Sequence, residues 1–148
     1  MKSKSDIAAK LKDCVLMIWT LPQSLLGLAL VVITGAKSCK KLIDGVGYDY
    51  YVSKRFNNSW SGVSLGSFIV FAKDSYADND SIKHEYGHHI QSNYLGFLYL
   101  IIVGLTSVIG NLWDRLAHKD WTEIQRITWY YSRFPENWAD KLGGVKRF

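Results

Sequence analysis

The sequence predicts a mainly helical α+β domain: two long hydrophobic helical segments, a small β-hairpin between them, and a histidine-bearing helix. Three observations carry that prediction. Residues 14–36 and 90–113 are uncharged runs of 23 and 24 residues, and a helix needs about 20 mostly apolar residues to cross a bilayer. Residues 45–72 hold the one stretch dense in aromatic and β-branched side chains. Around His84-Glu85-Tyr86-Gly87-His88, residues 81–92 read as helix, and three of the four histidines fall within 84–89. At 148 residues there is room for one core, so 1–148 is a single domain.

In chain order, 1–13 is a basic tail carrying Lys2, Lys4, Lys10 and Lys12, and 14–36 is the first hydrophobic helix. A secretory signal is disfavoured, because the apolar run is long, Pro22-Gln23 interrupts it, and no small-x-small site precedes Lys37. The segment reads as a retained anchor. The mean hydropathy is near zero because two apolar segments average against a polar remainder, and two such segments in so short a chain speak against soluble core helices. The net charge of +5 then suits anionic lipid, since basic residues flank both segments. The lysines form no single stripe and no recognition motif occurs, so nucleic acid is not an expected partner. Cys14 and Cys39 stand at opposite ends of the first segment, and without a CxxC pair they read as structural.

Lys37 to Asp44 reads as a basic connection leading to Gly45-Val46-Gly47. Within 45–72, Tyr48–Val52 is the first strand, Phe56–Gly62 a turn and Val63–Phe71 the second strand. Ala77–Asp80 is a loop, with Asp80 or Ser81 as N-cap of the following helix. Residues 93–113 form the second hydrophobic segment. The stretch 120–143 forms C-terminal helices, with apolar residues at 121, 124, 127 and 131 at near-helical spacing. Its Trp and Tyr side chains suit a membrane interface.

The chemistry resides in two motifs. Residues four apart on a helix lie about 40° apart around its axis, so His84 and His88 project to one side. Two imidazoles there can hold Zn²⁺, and Glu85 can reach a water on that metal as general base. Beginning 48 residues after His88, the run Glu136-Asn137-Trp138-Ala139-Asp140 sits between Pro135 and Gly143-Gly144, a short helix with suitable ends. Glu136 and Asp140 share a face, as a third ligand and a carboxylate orienting a histidine would.

HExxH followed by ExxAD resembles the gluzincin metallopeptidases, most closely their membrane-bound group of the CAAX-protease and heat-shock-protease type. The resemblance implies a zincin-like active-site helix, His84, His88 and Glu136 as zinc ligands, Glu85 as base and Asp140 as support. It implies a membrane-associated metallopeptidase acting on a peptide or protein substrate, integral or monotopic, with its site on the cytoplasmic face. Zincins add an extended substrate to a sheet edge above the metal, and Ser64, Leu65, Gly66, Ser67 and Phe68 form the candidate edge. Tyr130, Tyr131, Arg133 and His118 are chemically suited to stabilise an oxyanion, and nothing in the sequence chooses among them. The larger resembling peptidases place a pair of membrane helices between the motifs, whereas one segment separates them here. A single crossing by 90–113 would part the histidines from Glu136. A re-entrant hairpin, broken near Gly104–Ser107 or at Gly110-Asn111, or a monotopic arrangement is therefore expected. Two other readings are a non-catalytic membrane protein with a structural or vestigial zinc site, and a partner subunit binding through its aromatic surface.

Overall fold

The computed structural model describes residues 4–55 and 61–147. The expected single helix 14–36 is two helices, α1 (Lys4–Trp19) and α2 (Leu21–Thr34), bent by 84°. Much of the expected basic tail is thus helical. At the elbow Thr20 leaves helical geometry (φ −102, ψ 15), and its hydroxyl donates to the Leu16 carbonyl at 2.9 Å. Pro22 lies in the first turn of α2, where a missing N–H costs nothing.

The segment expected as a connection, Lys37 to Asp44, is instead a strand. β1 (Lys37–Ile43) and β2 (Val46–Val52) form a hairpin around Asp44 (φ 51) and Gly45 (φ 80). Left-handed conformations at both central residues match the right-handed strand twist, and Asp-Gly supplies them. The expected single strand 63–71 is a second hairpin, β3 (Gly62–Leu65) and β4 (Phe68–Phe71), turning at Gly66 (φ 61) and Ser67. The β-rich part is therefore a four-stranded sheet of order β1-β2-β4-β3, parallel only at β2–β4, rather than one hairpin. The turn expected at 56–60 lies outside the described residues.

α3 (Asn79–Leu95) carries the HExxH motif and packs on this sheet over a core of Ile43, Tyr50, Ile69, Phe71, Ala77 and Ile82. Its N-cap is Asp78, not Asp80 or Ser81: Asp78 Oδ1 accepts from the Asp80 and Ser81 amides, both at 3.0 Å. Its far end is held by the elbow. Gln23 Nε2 donates to Ser92 Oγ at 3.0 Å and to the Gly96 carbonyl at 2.8 Å, and Trp19 Nε1 donates to the Asn93 carbonyl at 3.2 Å.

Beyond a short 3₁₀ turn (Gly96–Leu98), a π-helical stretch (Leu100–Leu105) runs into α4 (Thr106–Ala117). Leu100–Ala117 is long and apolar enough to cross a membrane, and only 11 % of it is buried. No break occurs at Gly104–Ser107 or Gly110-Asn111. The reversal comes later, at 118–122, and α5 (Glu123–Tyr131) returns along α4. Arg126 clamps Asp114 Oδ2 through Nε and Nη2 at 3.0 and 2.7 Å, and one helical turn on, the Tyr130 hydroxyl meets Ser107 Oγ at 2.9 Å. Of the apolar residues at 121, 124, 127 and 131, Trp121, Ile124 and Ile127 are exposed. This return lets α6 (Glu136–Gly143) lie on α3.

α3 and α6 touch backbone to backbone. A Cβ on Gly87 would overlap the Ala139 carbonyl, and one on Gly143 would overlap the Lys83 carbonyl. Gly87→Ala should therefore cost about 1–3 kcal/mol or more by overpacking. Gly47→Ala, with no neighbour within 4 Å of its Cβ, should change stability by less than about 0.5 kcal/mol. Denaturant unfolding of the two variants beside the parent checks the contrast.

Candidate metal centre

The contact of α3 with α6 brings His84, His88 and Glu136 together, all buried. Glu136 Oε2 lies 3.1 Å from Nε2 of both histidines. Each ring is fixed through its other nitrogen. His84 Nδ1–H donates to Asp140 Oδ1 at 2.7 Å, and His88 Nδ1–H donates to Gln91 Oε1 at 2.7 Å. Because both partners accept, the protons sit on Nδ1 and the Nε2 atoms converge on Glu136. Behind these partners, Arg147 Nε donates to Asp140 Oδ2 at 2.8 Å, and Gln91 Nε2 donates to the Pro135 carbonyl at 3.0 Å. A buried His-His-Glu group whose ligand atoms lie within 4.8 Å of one another can hold a metal ion.

Glu85 is the next residue along α3. Its Oε2 is buried without a hydrogen-bond partner among the described residues, and a Cβ on Gly62 would stand 2.8 Å from its Oε1. Burial raises its carboxyl above the ordinary carboxylate range, against the lowering pull of His88 and His84. Burial also opposes charge on His84, yet the hydrogen bonds to Asp140 and Glu136 outweigh it and raise that imidazole to about 9. Glu136 is held far below the usual carboxylate range, its burial overcome by His84 and His88. Asp140 is lowered too, its desolvation offset by the bonds from His84 and Arg147.

A cavity of about 770 Å³ opens over these groups, lined by β3, by Leu100–Asp114 on one side and by α5 on the other. Of the candidate edge residues, Ser64 and Leu65 lie on β3, which is the edge of the sheet next to the cavity. Gly66 and Ser67 form the turn, held to α2 and α3 by Ser67 N–H donating to Ser24 Oγ at 3.3 Å and His89 Nδ1–H donating to the Gly66 carbonyl at 2.6 Å. Phe68 belongs to β4, an interior strand, and packs by Tyr51. Tyr130 and Tyr131 line the cavity. His118 does not; it binds Asp114 and stacks on Trp121. Arg133 lies over the Trp129 ring. Gln91, Ser107 and Arg147 escaped the sequence reading. Gln91, one turn after His88 on the same face, carried the only legible signal.

No protein-family model matches this chain, and neither the curated proteins nor the solved structures yield a match.

With no metal bound, His84 is an imidazolium at neutral pH. Its folded pKa is raised, so its stabilising pair is fully present below about 6.5 and is lost as pH rises through about 9. Metal must displace that proton. Affinity should therefore rise by about tenfold per pH unit from pH 7 and level off above about 9, as competition titration against a chromophoric chelator would read.

Proposed function

We propose that this chain is a membrane-associated zinc metallopeptidase, with His84, His88 and Glu136 as zinc ligands and Glu85 as general base. One observation carries the reading: a buried carboxylate, Glu85, stands beside the His-His-Glu group with an oxygen that has no hydrogen-bond partner among the described residues. A structural zinc site closes its coordination with protein ligands and has no use for such a base, whereas a catalytic one keeps three ligands and an open position. Ligand atoms on a tetrahedral zinc stand about 3.3 Å apart, close to the 3.1 Å separations here. The order HExxH then ExxAD, with Asp140 on His84, agrees with the gluzincin resemblance.

Bound there, zinc supplies Lewis acidity towards a carbonyl and lowers the pKa of water towards neutrality. Glu85 takes the proton of the attacking water and can return it to the leaving amine. Its burial keeps that proton out of bulk solvent. The β3 edge supports a peptide as substrate. Ala72 N–H donates to the Ser61 carbonyl, and strand alternation then turns the Gly62 and Ser64 backbone groups away from β4. Tyr99 already donates to the Ser64 carbonyl at 2.9 Å. Among the described residues the Gly62 groups and the Ser64 N–H have no hydrogen-bond partner, which suits pairing with an extended chain beside Glu85.

The surface supports the membrane. α2 buries Gln23, Ser24, Gly27 and Thr34 while exposing Leu25, Leu26, Val32 and Ile33. α4 turns Ser107, Asn111 and Asp114 to the cavity and exposes Ile109, Leu112, Trp113 and Leu116. A helix facing water has the opposite pattern, and a continuous apolar face of this kind marks a nonaqueous partner.

Purified protein should hold about one zinc per chain. Glu136→Ala should lower that content, and Glu85→Gln should keep the zinc while reducing peptide hydrolysis by at least about 10²-fold. Full hydrolysis by Glu85→Gln would overturn the mechanism, and zinc bound without hydrolysis in the parent protein would favour a structural site. The paired change Ile109→Lys and Leu112→Lys should release the protein from lipid vesicles, checked by flotation, while its zinc content stays at the parent level.

A further inference from the structure

The second oxygen of Glu136 has its own partners, and they come from α4 and α5 rather than from either motif. Ser107 Oγ, on α4, donates to Glu136 Oε1 at 2.6 Å. The Tyr130 hydroxyl, on α5, reaches the same oxygen at 3.0 Å, and the two hydroxyls lie 2.9 Å apart. The two carboxylate oxygens thus have separate duties. Oε2 faces both histidines at 3.1 Å, and Oε1 is engaged by two donors on the opposite side.

We infer that Ser107 and Tyr130 are positioning residues that hold Glu136 as a one-oxygen metal ligand, and so couple metal binding to the placement of the hydrophobic helix. The inference rests on the metal-binding reading above. A carboxylate free at both oxygens can close on a metal through both and fill the position that a catalytic site keeps open. Two donors on Oε1 remove that option. They also orient the carboxylate before metal arrives, as outer partners of metal ligands do.

The placement follows from the fold. The Arg126–Asp114 clamp and the capping box of Thr122 and Gln125 set α5 antiparallel to α4. Tyr130, one turn beyond Arg126, then faces Ser107, two turns before Asp114. Leu100–Ala117 is mostly exposed apolar surface, so whatever surrounds that helix also bears on Glu136 through a single hydroxyl.

The test compares zinc affinity and the visible spectrum of the cobalt-substituted protein in the parent, Ser107→Ala, Tyr130→Phe and the double variant, with circular dichroism confirming the fold. Each single change should weaken zinc binding about 10-fold and the double change up to about 100-fold. Cobalt absorption should fall in intensity in the double variant, because a two-oxygen Glu136 raises the coordination number. Loss of packing alone would not produce that spectral change. Parent-like affinity and spectra in all three variants would overturn this inference and leave the zinc site standing. A parent protein that binds neither metal would overturn both.

Discussion

The backbone contact between α3 and α6 is the constraint on which the rest of the structure depends. Two histidines from one helix and a glutamate from another reach a common point only if the helices approach more closely than side chains normally allow. Gly87, between the two histidines, and Gly143, at the end of α6, make that approach possible against the carbonyls of Ala139 and Lys83. Every other element then has a task relative to this pair. The sheet backs α3 from one side, the α1–α2 elbow grips its far end, and the α4–α5 hairpin carries the chain out and returns it so that α6 can dock.

Burying this cluster demands compensation. His84, Glu85, His88, Glu136 and Asp140 are all buried, and unpaired charges there would be prohibitively costly. The cluster is satisfied by a chain of partners: Arg147 on Asp140, Asp140 on His84, Glu136 between the histidines, Gln91 on His88, and Ser107 with Tyr130 on the remaining glutamate oxygen. Arg147 also lies over the Tyr131 ring, 3.8 Å from its centroid, and that ring meets His84 edge-on. Glu85 stands apart, with one oxygen that nothing among the described residues engages. In a network otherwise closed, that oxygen is where a ligand has something to gain.

The same chain is polar within and apolar without along α2 and α4. The inward residues of α2 fasten it to the β3–β4 turn and to α3, where Gly27 meets the Leu65 carbonyl and Ser24 meets Ser67. Its hydrophobicity is thus turned away from the core. Helix length and composition alone do not distinguish that arrangement from a core helix; the direction of each side chain does.

That His84 and His88 share one helical face, and Glu136 and Asp140 another, was legible from spacing, because four-residue intervals place side chains on one side whatever the surrounding fold; that the two faces meet was implied only by the resemblance. The α+β character was legible as well, from the aromatic stretch and the apolar runs. The Asp44-Gly45 turn was written in the sequence but masked by the lysines of β1, which suit an exposed edge strand as well as a loop. The elbow at Thr20 falls just before Pro22, which the sequence shows as an interruption of the apolar run without showing that the helix bends there. Only the tertiary structure decided the route between the motifs, with the reversal at 118–122 set by the contact of Arg126 with Asp114. Only it decided the duties of Gln91, Ser107, Tyr130 and Arg147 as well, because a hydrogen bond between distant residues leaves no period or spacing in the chain.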